Sequence, residues 1–210
     1  MNSGLIKFFS IVGLGLTWGL SGCGVLNKAI DDLVQPTRSN NQATRQTTPI
    51  AEPTTGQPTN EATKVVTSSD GKLQVTVPVD WKEDRDLNEK AELQVSNRAD
   101  ELYTIVLSES KSDFKDMTLA RHSELTREIL VKNLTSPQVS DPEKLTVNGV
   151  PALQYEIQGT IDNLNVTYLH TTVETATSYN QIISWTLRSR YAKNSPKLQA
   201  VIRSFREVAQ

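Results

Sequence analysis

Few side chains in this 210-residue chain are suited to chemistry: one cysteine, Cys23, and two histidines, His122 and His170. A thiolate is a nucleophile and a metal ligand. An imidazole can act as general acid, general base or metal ligand near neutral pH. His170 and Glu174 lie four residues apart in a stretch that reads as a strand, so their Cα atoms are about 13 Å apart. One ion could not be held by that pair without donors from elsewhere. His122 falls on an expected helix whose i+4 position is Thr126, neither acid nor histidine. No Gly-x-Ser-x-Gly elbow and no phosphate-cradling glycine loop occurs. The expectation is a chain with no catalytic residue, no metal site and no cofactor, its histidines solvated or partly packed.

The role of Cys23 follows from what precedes it. Residues 1–22 carry one charge, Lys7, then an uncharged apolar run over 8–20, then the small residues Ser21 and Gly22. That order is the order of a secretory signal. The apolar run is about a dozen residues, and a membrane-spanning helix needs about 20. Leu20-Ser21-Gly22-Cys23 resembles the lipobox of bacterial lipoproteins. The resemblance implies cleavage before Cys23 and a diacylglycerol on its sulfur, often with an amide-linked chain as well. Anchoring by more than one chain is what stable membrane attachment requires. It also accounts for the unpaired cysteine of an exported chain, leaves the exported part without a disulfide, and removes the thiol as a nucleophile.

Residues 35–63 contain Pro36, Pro49, Pro53 and Pro58 among many Thr, Asn and Gln. Such a composition buries too little apolar surface to offset ordering entropy, and a flexible tether of this length reaches on the order of 30 Å. The expected organisation is a signal peptide over 1–22, a lipidated N-terminus and linker over 23–63, and one globular domain over 64–210.

In that domain, 73–79 alternates apolar and polar residues as a half-buried strand does, after a turn signal at Asp70-Gly71. Strands are expected at 91–97 and 102–108, the latter apolar on both faces and therefore central. The stretch 118–132 reads as a helix capped by Thr118 or Asp116, with Leu119, Leu125 and Ile129 facing inward. Asn148-Gly149 predicts a hairpin between 144–147 and 152–158. Two long strands follow at 164–175 and 179–188, with Ile183, Trp185 and Leu187 on one face. Ser195-Pro196 opens a closing helix with an inward stripe of Leu198, Val201, Ile202 and Phe205. Antiparallel strands with two separated helices make an α+β fold, an αβα sandwich with helices flanking one antiparallel sheet.

The order of these motifs resembles PsbP-like domains. The matching residues are Asp70-Gly71, Val75-Thr76-Val77-Pro78 and Trp81, then Thr118-Leu119 at a helix start. Val147-Asn148-Gly149-Val150-Pro151-Ala152, Ile183-Ser184-Trp185 and the closing Ile202-Arg203-Ser204-Phe205 complete the set. The resemblance covers nearly the whole domain. It implies an αβα sandwich and a binding role: family members include extrinsic subunits on the lumenal side of photosystem II, envelope lipoproteins and a relative that binds the GTPase Ran. Fold alone does not give function, and no residue of the family that contacts a photosystem or a metal transfers here.

Charge is unevenly distributed. The chain is at −2, and loss of Lys7 with 1–22 makes it −3. Residues 80–89 hold five acids against Lys82 and Arg85, whereas 188–206 holds Arg188, Arg190, Lys193, Lys197, Arg203 and Arg206 with no acid. These six are the candidate surface for anionic head groups or an acidic partner; the alternative is a solvated face that aids solubility. Nucleic acid is not expected as a partner of an exported, mildly acidic chain. The sequence thus points to an exported lipoprotein on a periplasmic, outer-surface or thylakoid-lumen membrane face. There it would be a non-catalytic binding or assembly module, with a membrane protein complex as its partner. A small-ligand or lipid carrier is the alternative, and a metal-assisted enzyme a third; oligomeric state is open.

Overall fold

The computed structural model describes residues 61–208. The expected signal segment, Cys23 and the tether up to residue 60 lie outside the described residues.

β1 (Thr63–Thr67) pairs antiparallel with β2 (Leu73–Pro78) around a turn in which Gly71 takes φ +78°, a left-handed conformation that suits glycine. In β2, Leu73, Val75 and Val77 are buried while the residues between them are half-exposed. β3 (Lys82–Glu83), β4 (Leu93–Asn97) and β5 (Leu102–Ser110) form an antiparallel run. α1 (Leu119–Val131) follows a short 3-10 turn, Lys111–Asp113, and is capped by Thr118, whose side chain accepts a hydrogen bond from the Arg121 backbone N–H. β6 (Thr135–Val139), β7 (Glu143–Val147), β8 (Val150–Ile161), β9 (Leu164–Glu174) and β10 (Ser178–Leu187) come next. The chain closes with α2 (Tyr191–Ser204) and β11 (Arg206–Glu207).

The main sheet has the order β3-β4-β5-β10-β9-β8-β6, with β7 also paired to β8, and every pairing is antiparallel. The twelve-residue β8 serves two partners: its first half holds β7 and its second half β6. A three-stranded sheet, β1-β2-β11, lies apart from it in pairing. Asn148-Gly149 joins β7 to β8 with φ +48° and +81°, and Asp162-Asn163 joins β8 to β9 with φ +49° and +63°. Two consecutive positive φ values are what a two-residue hairpin turn of matching twist needs.

Strand alternation divides the core between the two faces of the main sheet. Val106, Leu169, Val173 and Ile182 pack in one cluster with Leu198, Val201, Ile202 and Phe205 of the α2 region, with the buried side chains of β2, and with Trp81. Ile105, Tyr155, Ile157, Val166, Tyr168, Ile183 and Trp185 pack in a second cluster with Leu130 and Leu134. Ile182 and Ile183 are neighbours in sequence and lie in different clusters, so α1 and α2 cover opposite faces of the sheet. The described domain is an α+β fold, a largely antiparallel sheet with two helices.

Three expectations change. α1 does not bury Leu119, Leu125 and Ile129, which stay half-exposed; its buried residues are His122, Ser123 and Leu130. The inward face is therefore turned toward polar positions, because the sheet surface it meets is itself partly polar. α2 starts at Tyr191, before Ser195, and places Pro196 inside the helix. Proline there costs about 3 kcal/mol, and the anchors of the first turn offset it. The Tyr191 hydroxyl donates to Glu156 at 2.7 Å, while Asn194 donates to the Asp100 carbonyl and to Thr186 Oγ1, both at 2.9 Å. The one expected sheet is two by pairing, since β2 joins β1 and β11 apart from the main sheet; β1, β3, β6 and β11 had no sequence expectation, and in β6 Pro137 is tolerated because the strand lies at a sheet edge.

Candidate functional site

The six basic residues fall at the end of β10, in the 3-10 turn Arg188–Arg190, along α2 and in β11. Five are exposed and Lys197 is half-buried. They do not converge on one spot. Lys193 and Lys197 are one helical turn apart on one side, while Arg203 sits in the last turn of α2. Four have neighbours on their own domain. Arg190 Nη1 donates to the Ala99 carbonyl at 3.1 Å and Arg206 Nε to Gln74 Oε1 at 2.9 Å. Lys193 lies 4.0 Å from Asp100 and Lys197 3.4 Å from Glu61. Exposed pairs of this kind contribute about 0–1 kcal/mol each, so the stretch remains a charged, solvated strip.

The acidic segment 80–89 lines an open groove of 610 Å³ together with 96–100. Two of its carboxylates are engaged by hydrogen bonds within the domain. Asp80 accepts from Asn97 Nδ2 at 2.6 Å. Asp84 is buried and accepts from Ser96 Oγ at 2.6 Å and from Arg98 through Nε at 2.7 Å and Nη2 at 2.6 Å. Burial alone would raise the Asp84 carboxyl; the guanidinium and the hydroxyl outweigh it and hold the group below the ordinary carboxylate range. Nothing in the sequence marks Arg98 as the partner of an acid 14 residues away. The β3–β4 register, which sets Lys82 opposite Ser96, brings them together. Asp100 borders both this groove and Lys193, so the acidic and basic segments adjoin.

The histidines are buried on the α1 face of the sheet, not solvated. His122 is 2 % exposed and its Nε2 lies 2.9 Å from Glu109 Oε2, an oxygen that also accepts from Gln181 Nε2 at 2.8 Å. The His122 hydrogen bond holds the Glu109 carboxyl below its ordinary value against the opposing effect of burial. The ring stacks on Tyr179 at 4.5 Å between centroids and meets Phe114 edge-on at 5.5 Å. His170 is 0 % exposed on β9, opposite Tyr155 and Ile183 in register. Burial pushes its imidazole down to about 4, with the nearby Gln181 side chain offsetting part of that fall. Glu174, the expected companion of His170, instead pairs with Lys111 at 2.8 Å. Among the described residues no group of three or more His, Cys, Asp and Glu is placed to hold a metal ion. Both tryptophans of the domain are core residues: Trp81 is fully buried on the α2 side, and Trp185 stacks on Tyr103 at 5.2 Å on the other.

The sequence matches no protein-family model, and no curated protein matches it. Solved structures do. LpqN of Mycobacterium tuberculosis, described as involved in cell envelope biogenesis, superposes with a TM-score of 0.52 at 15% identity, over 70% of this chain and 91% of its own. The cyanobacterial PsbP (CyanoP) of Synechocystis sp. PCC 6803 gives 0.53 at 11% identity, over 73% of this chain and 96% of its own. At such identities the likeness is one of fold, and the fold is the PsbP-like one the motif order implied.

Proposed function

We propose that this chain, whose domain has the PsbP-like fold, is an exported lipoprotein held to a bacterial membrane through acylated Cys23. Its αβα sandwich works there as a non-catalytic binding or assembly module for a membrane protein complex. One observation favours binding over catalysis: the two imidazoles lie between α1 and the sheet at 2 % and 0 % exposure, out of reach of a substrate, while in the surface groove Asp80 and Asp84 are already hydrogen-bonded within the domain. The basic stretch from Arg188 to Arg206, which meets that groove at Arg190 and Lys193, offers a partner two surfaces of opposite charge that adjoin there. Complementary charge of this kind sets encounter rate and register more than raw affinity. The groove's charged lining gives no support to a lipid carrier.

The test is crosslinking in intact membranes followed by purification of the solubilised chain. A reproducible set of partners that weakens when Arg188, Arg203 and Arg206 are replaced by glutamine is expected. Recovery of no reproducible partner, with or without crosslinking, would reject the reading. Anchoring is tested separately: Cys23→Ala should leave the chain unacylated and free of the membrane.

A further inference from the structure

We propose that α1 is an acid-released flap: protonation of the buried His170 beneath it frees the helix from the sheet while α2 and the strands remain packed. The geometry of that interface carries the argument. α1 buries one apolar side chain, Leu130, near its C-terminal end, and its other buried residues are His122 and Ser123. Facing it, the sheet presents His170 and Thr172 among Tyr155 and Ile183. His122 Nδ1, Ser123 Oγ, Arg127 Nε, both ring nitrogens of His170 and Thr172 Oγ1 are all buried without a hydrogen-bond partner from the protein. Buried polar groups of this kind are costly; these lie between α1 and the sheet, and others, such as the Asn180 amide, lie on the opposite face.

The charges around His170 decide the direction. From α1, His122 and Arg127 both oppose a proton on it, and Arg127 lies over the Tyr155 ring at 5.1 Å and beside Glu128 at 3.6 Å. From β8 comes Tyr155, from β10 Gln181 and Tyr179, and from β5 Glu109, whose Oε2 is already shared by His122 and Gln181. A proton on His170 thus places a cation in a buried, cation-facing site, where the one carboxylate named, Glu109, already accepts from His122 and Gln181. Lifting α1 gives that cation water; the α2 face also buries polar side chains, Asn180 and Asn194 among them, but holds no histidine. His170 favours its neutral form in the closed state, so closure is fully stable above the ordinary histidine pKa and weakens as pH falls toward 4.

Hydrogen exchange of the full-length chain, corrected for intrinsic exchange rates, reads this directly. Between pH 7 and pH 5 the amides of α1 should lose roughly tenfold to thirtyfold of their protection, and at each pH they should exchange faster than those of α2, which open only when the domain unfolds. In His170→Leu, or in His170→Gln if the first does not fold, that loss should vanish. An NMR titration of the wild-type His170 ring should coincide with α1 release. An α1 as strongly protected as α2 at pH 5, unchanged protection of α1, a folded His170 variant that keeps the full effect, or a His170 that titrates near its ordinary value under a closed α1 would each overturn the proposal.

Discussion

The two faces of the main sheet are covered by helices of similar length, thirteen residues in α1 and fourteen in α2, and they are covered by different chemistry. α2 sets Leu198, Val201 and Ile202 into the sheet and ends against Phe205, all at most 1 % exposed. α1 sets His122 and Ser123 there, with Leu130 at one end. Burying a large apolar side chain stabilises by about 1.5–3 kcal/mol; burying a polar one stabilises only if its partners are in place. α2 is thus a core element, and α1 is a cover whose attachment depends on the protonation state of the groups below it.

Truncation should separate the faces most widely. Phe205→Ala is expected to cost about 3–5 kcal/mol in urea unfolding. Leu125→Ala, on the half-exposed side of α1, is expected to cost under about 1 kcal/mol. Equal costs would break the contrast. The apolar half of the α1 face is packed tightly, which Gly159 can show. A Cβ added there would sit 2.9 Å from Leu134 Cβ and Cδ1, so Gly159→Ala should destabilise by about 1–3 kcal/mol; a neutral result would mean that Leu134 shifts freely. Acid should act on the same face. Because the folded-state value of His170 lies below its ordinary one, stability is present above pH 6.5 and falls as pH drops toward 4. The loss between pH 7 and pH 5 should reach at most about 2 kcal/mol, should be absent in His170→Leu, and should be smaller if α1 opens before the domain unfolds. Glu109 adds a loss at lower pH, since its depressed carboxyl is protonated only there. A small effect is also expected of Thr118→Ala, about 1 kcal/mol from the lost α1 cap, read as faster exchange in the first turn of α1.

The strands were legible because alternation records which face is buried. Leu73, Val75 and Val77 in β2, and Ile183 and Trp185 in β10, follow that rule, and Asn148-Gly149 marks its hairpin through the φ values the turn demands. The α2 stripe was legible for the same reason. α1 was not: Leu119, Leu125 and Ile129 stay half-exposed, and His122 and Ser123 take the buried positions beside Leu130. A histidine carries no sign of whether it is buried, and the Glu109 partner of His122 lies on a strand 13 residues earlier.

The amino-acid order alone therefore determined the local elements and their succession, since dihedral preference and side-chain period act over a few residues. It also carries the signal-like 1–22 segment with Cys23 at its end. Which charges meet was decided only by the tertiary structure. Asp84 finds Arg98, His122 finds Glu109 and Asp100 finds Lys193 through strand register and helix docking. Those contacts join positions far apart in the chain, where no local preference reaches.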